Sequence, residues 1–280
     1  MKEKIMRAVF LAAACVCILC VAAICLFLLV NGLPAFGKIG PLKFLSGSVW
    51  RPGSGAYGIA PMILGSLYVT AGAIALGAPL GVLTGVYLAR FCPRRARAAG
   101  RAAVNLLAGV PSVVYGFFGL VVLVPAASAV FGGSGKSMLT ASVLLGLMIL
   151  PTVISVTETS VRAVPEACYE GALALGATHE RAVFFAVLPA ARPGVTAGIA
   201  LGVGRAIGEA TAVVMVAGNQ PVIPSGPLRG LRTLTANIVL EMGYAADLHR
   251  GALAATAVTL FVFTLAVNVL LALGRGKRPA

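Results

Sequence analysis

An arginine and a glutamate stand four residues apart in "GVGRAIGEATAVVMVAGN", residues 202–219, inside an otherwise apolar run. Two chemistries fit these side chains at that spacing. Residues four apart on a helix are neighbours, so Arg205 and Glu209 can form a local ion pair. Alternatively, a guanidinium offers paired N–H donors to an oxyanion. A carboxylate beside it accepts a hydrogen bond from an oxyanion that still carries a proton. On an ideal helix of roughly 100° per residue with Gly198 at zero, Gly194 and Gly202 fall at about −40° and about +40°. Arg205 and Glu209 fall between them, at about −20° and about +20°. That shared face is barred from lipid, because a charge at mid-membrane costs about 2.5–3.5 kcal/mol on insertion scales. Small residues every fourth position also let helices approach closely, and their missing side chains leave room for an ion. Arg205, Glu209, Gly198 and Gly202 are therefore the candidate path residues, with interhelical glue the other reading of the same four.

The rest of the composition says what must position them. Of 280 residues, 59% are hydrophobic and 11% charged, against about 25% charged in a typical soluble domain. The net charge of +14 does not point to nucleic acid, because the basic residues lie between apolar runs rather than on an aromatic-bearing stripe. Cys15, Cys17, Cys20 and Cys25 fall in the first apolar run, where cysteine acts as a small hydrophobe. Cys92 and Cys168 stand alone, and His179 and His249 lack ligand-spaced partners. No metal site and no enzymatic cluster of nucleophile and base is expected.

About 20 apolar residues span a bilayer. The runs place helices at roughly 8–30, 60–89, 102–130 (kinked or broken at Pro111), 138–160, 195–217 and 251–273. The first run is too long for a signal peptide's apolar core and is read as a retained helix. The chain is thus an all-α integral membrane protein, a single transmembrane domain over 1–280 with six transmembrane helices. Lys2, Lys4, Arg7, the arginines of 90–101, those of 162–192, and Arg275, Lys277 and Arg278 would share one side. That side then holds twice the Lys and Arg of the other, so both termini are expected in the cytoplasm. Glu158 is expected to pair with Arg162, four residues on. Glu241 and Asp247 fall on the outer side, as solvated loop or as contacts for an external protein. Asn105, Asn268 and Tyr115 are polar points within the helices.

"GGSGKS" at 132–137 ends like a phosphate-binding P-loop, but Val130 stands where the first glycine belongs. The stretch also follows a membrane helix rather than a strand. It is read as a turn, and the chain is not its own ATPase.

The informative polar piece is "PEACYEGALALGATHERAVFFAVLPAARPG", residues 165–194. Pro165 suits a first helical position, Glu166 and Glu170 the first turns, and Gly176 a helix stop. Thr178 caps a second short helix, which Leu188-Pro189 should close. Such a knob is suited to docking a soluble partner.

This stretch resembles the cytoplasmic signature of the permease subunits of binding-protein-dependent ABC importers. Counted from Glu170, Gly176 is seventh and Leu188-Pro189 are nineteenth and twentieth, as in the family pattern. Gly171 replaces the usual alanine, and Ala186 stands where isoleucine is usual. "GVPSVVYGFFGL", "YGIAPMILGSLYVT", "GRAIGEATAVV" and "LTANIVLEMGYA" are similar to stretches of phosphate importer permeases, the C-type subunit rather than its A-type partner. The resemblance implies an ABC importer permease fold with Glu170, Gly171, Ala172, Gly176, Ala177, Leu188 and Pro189 docking an ATPase. It implies an A-type second permease subunit, two ATPase subunits that bind ATP and Mg, and an extracytoplasmic phosphate-binding protein. It places the chain in a bacterial plasma (inner) membrane, among lipid, with no cofactor of its own. The alternatives are a permease for another oxyanion, such as molybdate or sulfate, or a secondary transporter driven by an ion gradient.

Overall fold

In lipid a backbone has no water to bond, so each apolar run must satisfy its own N–H and C=O groups as a helix. The computed structural model describes residues 2–273, which leaves Arg275, Lys277 and Arg278 of the basic tail outside the described residues. A long helix α1 (Lys2–Ile39) and a short α2 (Pro41–Ser46) lead to a small antiparallel hairpin, β1 (Trp50–Arg51) and β2 (Ala56–Tyr57). Then follow α3 (Ala60–Val86), α4 (Arg94–Gly109), α5 (Ser112–Phe118), α6 (Val124–Phe131) and α7 (Met138–Arg162). The second half holds α8 (Glu166–Ala174), α9 (His179–Ala182), α10 (Leu188–Gly208), α11 (Thr211–Val216), α12 (Leu234–Glu241) and α13 (Asp247–Leu273). Among the described residues six segments are long and apolar enough to cross a membrane: Met6–Ile39, Ala60–Phe91, Ser112–Phe131, Met138–Arg162, His179–Gly208 and Asp247–Leu270. The protein is a helical, six-span membrane bundle.

Three of these spans contain a π-helical turn, at Tyr87–Phe91, Gly119–Leu123 and Val183–Val187. Each ends two residues before a proline: Pro93, Pro125 and Pro189. Proline lacks an N–H and its ring crowds the carbonyl four residues back. The wider turn, with Cys92 donating to Tyr87, Val124 to Gly119 and Leu188 to Val183, absorbs that defect. At the second and third sites the helix then runs on. The expected stop at Leu188-Pro189 is therefore corrected: residues 179–208 are one continuous span, and Pro189 sits in the first turn of α10.

Two other expectations change. The stretch 102–130 is not one helix, because Val110-Pro111 separates α4 from α5. α4 carries Arg94, Arg95, Arg97 and Arg101 in its first half and exposed Leu106 and Leu107 in its second. The stretch 195–217 is likewise broken, between α10 and α11.

α7 is the axis of the bundle, and glycines bring helices against it from two sides. A β-carbon at Gly81 of α3 would lie 2.8 Å from the Val153 side chain, and one at Gly85 would lie 2.7 Å from Thr157 Cβ. On the other side, β-carbons at Gly194, Gly198 and Gly202 of α10 would meet Ser160, Val156 and Val153. Close backbone approach is what small residues supply between membrane helices. Leu144, Leu145, Met148 and Ile149 of α7 are fully buried. α1 leans on α13 through Gly32, opposite Val258. Most of its side chains, Phe10, Leu11, Ile18 and Leu19 among them, stay exposed as a lipid-facing surface.

Candidate functional site

The helix that should carry both charges ends between them. α10 stops at Gly208, and Glu209 has an extended backbone (φ −72°, ψ 123°) before α11 begins at Thr211. The break has a local cause and a long-range one. The Glu209 carboxylate accepts the N–H of Ala212 at 3.1 Å, satisfying an orphan donor of α11. Thr235 Oγ1, from α12, donates to the Glu209 carbonyl at 3.0 Å. The ideal-helix position of Glu209 is thereby lost. Arg205 and Glu209 do not form the local ion pair that their spacing allows; the five ion pairs among the described residues involve other groups.

Arg205 consequently stands half-buried in the last turn of α10, with no side-chain hydrogen bond to any described residue. Tyr115 of α5 donates its hydroxyl to the Leu107 carbonyl at 2.9 Å. The expected room at Gly198 and Gly202 is occupied: Val156 lies 3.0 Å from a β-carbon at the first and Val153 3.1 Å from one at the second. Free space beside α10 lies instead at Gly204 and Gly208, where a β-carbon would meet nothing within 4 Å. A guanidinium in a membrane span with no partner among the described residues, on the same helix turn as these open positions, can take an anion directly.

The first part of the 165–194 segment, α8 and the turn at Gly176, forms a knob at one end of the bundle, whereas residues 179–194, expected to belong to it, are the start of the fifth span. Pro165 is the N-cap and Glu166 opens α8, one residue later than expected. Gly176 ends it in the left-handed region at φ 86°, with its N–H on Leu173 O and that of Ala177 on Ala172 O, the paired bonds of a Schellman stop. Thr178 caps α9 by accepting the Arg181 N–H. Leu175 is 91% exposed and Phe185 80%; with Ala172, Ala177, Arg181 and Ala186 they line an open groove of about 420 Å³. Glu170, Gly171 and Pro189 are exposed, and Leu188 is half-buried.

Sequence reasoning missed how the knob is tied to the spans. Arg90, at the end of the second span, donates to both oxygens of Glu166, at 3.0 and 2.8 Å, and lies 5.4 Å over the Tyr169 ring. Tyr169 in turn hydrogen-bonds His179 Nδ1 at 2.8 Å, and Phe91 packs edge-on against that imidazole at 4.7 Å. Nearby, the expected Glu158–Arg162 pair is present at 3.2 Å, but Arg101 of α4 also reaches the buried Glu158 at 2.8 Å. A small cavity of about 240 Å³ adjoins them and is bordered by Asn105.

At the opposite end, Glu241 is neither solvated nor free to meet a partner. It is 6% exposed and accepts hydrogen bonds from Trp50 Nε1 (2.9 Å), His249 Nε2 (2.9 Å) and Arg232. Burial pushes its carboxyl up, but the hydrogen bonds from Trp50, His249 and Arg232 and the charge of Arg232 outweigh it and hold it below the ordinary carboxylate range. Trp50 and Glu241 are 191 residues apart, beyond the reach of any periodicity.

A six-span bundle with an exposed apolar knob at one end and an unpaired guanidinium inside its fifth span has the architecture of a membrane permease. Residues 77–274 match the family described as "Binding-protein-dependent transport system inner membrane component". The "Probable ABC transporter permease protein YqgH" of Bacillus subtilis is 36% identical over 243 residues, covering 85% of this chain and 79% of that protein. The "Phosphate transport system permease protein PstC" of Mesorhizobium japonicum is 31% identical, covering 95% and 87% respectively. Among solved structures, a bacterial alginate ABC transporter in complex with an alginate-bound periplasmic protein superposes with a TM-score of 0.62 at 16% identity. That match covers 98% of this chain and 94% of the other, and carries the fold alone. The chain belongs to the binding-protein-dependent transport system inner membrane component family. It is a multi-pass inner-membrane permease subunit of an ABC importer.

Proposed function

We propose that this permease forms half of the translocation path of an ATP-driven phosphate importer, as a C-type subunit paired with an A-type second half. The observation that carries the reading is Arg205, without an ion-pair partner among the described residues, in the last turn of α10 where Gly204 and Gly208 are open. Similarity to the phosphate transport permease of Mesorhizobium japonicum over 95% of the chain supports the choice of anion. In this reading Arg205 forms charge-assisted hydrogen bonds to phosphate oxygens. Glu209 exchanges its hold on Ala212 for a protonated phosphate oxygen, which sulfate at neutral pH lacks. Gly198 and Gly202 act from behind, letting α10 shift along α7 as access alternates.

Two ATPase subunits bind ATP and Mg and dock on the knob through Glu170, Gly171, Ala172, Gly176, Ala177, Leu188 and Pro189, with exposed Leu175 and Phe185 as apolar anchors. Closure of the ATPases moves the knob, and the Arg90–Glu166 and Tyr169–His179 contacts pass that movement to the second and fifth spans. ATP can bias the permease only by binding its two states unequally. Both termini and the knob face the cytoplasm, and an extracytoplasmic phosphate-binding protein delivers the ion to the other face. The test is ATP-driven uptake by the complex reconstituted with its partners, with competing oxyanions. Phosphate uptake insensitive to excess sulfate and molybdate is expected. Uptake of sulfate or molybdate in its place refutes the anion assignment, and uptake driven by an ion gradient without ATP refutes the class.

A further inference from the structure

The "GGSGKS" turn, which the function above leaves unused, faces a second loop across a polar cavity of about 360 Å³ at the end of the bundle opposite the knob. Backbone bonds stitch the two loops together. Ser137 donates to Val216 O, Met138 to Arg229 O at 2.9 Å, Leu139 to Pro227 O at 2.8 Å, and Leu231 to Ala217 O. The walls are therefore fixed by the ends of α7 and α11 rather than by loose loop. Two cations line the cavity, Lys136 from the first loop and Arg229 from the second, together with Ser134 and Gln220. Neither cationic side chain has a hydrogen-bond or ion-pair partner among the described residues, and no acidic residue lines the cavity.

The backbone adds donors of its own. Gly132, Gly133 and Gly135 have φ of 74°, 73° and 68°, a conformation that glycine adopts without penalty. No backbone acceptor among the described residues takes the N–H groups of residues 133–136. Successive free N–H groups in a turn with left-handed residues make an anion-binding concavity. Two cations without partners among the described residues, a hydroxyl, an amide and such a turn, carried by the two facing loops, are the donor set for a tetrahedral oxyanion.

We infer that this cavity is a relay site for a phosphate-type oxyanion at the outer mouth, holding the ion between its release from the binding protein and its arrival at Arg205. The inference rests on the phosphate-import reading and adds to it a second site. It also gives the glycine turn a role without ATP: the turn holds the transported ion rather than a nucleotide.

The test uses the whole transporter, both permease halves with their ATPases, in nanodiscs of zwitterionic lipid and without binding protein, titrated with radiolabelled inorganic phosphate. Binding is expected that survives Arg205→Gln, weakens about tenfold on Lys136→Gln or Arg229→Gln, recovers with Lys136→Arg, and falls as salt is raised. Three results overturn the inference. Phosphate binding unchanged in both variants removes the site. Phosphate binding intact in both variants, with docking of the binding protein weakened when it is added in a parallel titration, makes the cavity a protein contact. Occupancy by anionic lipid headgroups, seen when the nanodiscs contain them, with no binding of free phosphate makes it a lipid site. ATP-driven phosphate uptake by the wild type is measured alongside: its absence sinks the phosphate reading itself, whereas its presence with unaltered binding in the variants sinks the relay site alone.

Discussion

Replacing Gly194 by alanine puts a β-carbon 2.1 Å from Ser160 Oγ and 2.5 Å from Ser160 Cβ. The serine cannot swing away freely, because its hydroxyl is bonded to the Val156 carbonyl at 2.6 Å. Gly204 lies on the same helix, yet a β-carbon there meets nothing within 4 Å. Both substitutions gain the same helix propensity, about 1 kcal/mol for Gly→Ala, so that contribution cancels when the two are compared. What remains is overpacking against α7, typically about 1–3 kcal/mol, or roughly 5- to 150-fold in the folded-to-unfolded ratio. The assay is denaturant titration of the purified chain in mixed micelles, following the fluorescence of its single tryptophan. Gly204→Ala is expected at or above wild-type stability and Gly194→Ala below it by that difference. Adding Ser160→Gly should recover at least half the loss beyond the sum of the single effects. Equal stability of Gly194→Ala and Gly204→Ala would refute the assignment of the glycine stripe to helix packing.

Two further outcomes follow from the ends of the bundle. Glu166→Gln removes the charge that Arg90 holds; because Glu166 is 56% exposed, the loss of stability should be at most about 1 kcal/mol. Ions moved per ATP hydrolysed, measured in proteoliposomes, should nevertheless fall by up to about fivefold, and unchanged coupling would show that this link does not transmit. At the other end, Glu241 titrates below its unfolded value of about 4.3. Its contribution is therefore complete above that pH and is lost as pH falls through the lower, folded value. Between pH 5 and pH 3 the unfolding midpoint of the wild type should drop more steeply than that of Glu241→Gln, and parallel curves would contradict the buried network.

The number of spans was legible because a bilayer demands long apolar helix, although the third and fifth have other bounds than the apolar runs suggested, and the stop at Gly176 was legible because its left-handed backbone requires glycine. Other features depend on partners far away in sequence. The break at Glu209 is held by Thr235, the burial of Glu241 by Trp50, and the second ligand of Glu158 is Arg101, so no local pattern announces them. The π-turns had a signal that was available: a proline two residues beyond each, inside or at the end of an apolar run. Of the path candidates, Arg205 was singled out as a charge that lipid cannot face, and the structure leaves it half-buried with no ion-pair partner among the described residues. Gly198 and Gly202 could not be separated from Gly204 and Gly208 without knowing which face meets α7.

Arg205 remains the residue on which the account turns. The direct measurement is ATP-driven phosphate uptake by the reconstituted complex carrying Arg205→Gln, with assembly and knob-dependent ATPase docking verified on the same preparation. Loss of uptake by a hundredfold or more is expected, corresponding to about 2.7 kcal/mol for a charge-assisted phosphate contact. Uptake within twofold of the wild type in an intact complex would contradict the placement of the anion at this guanidinium.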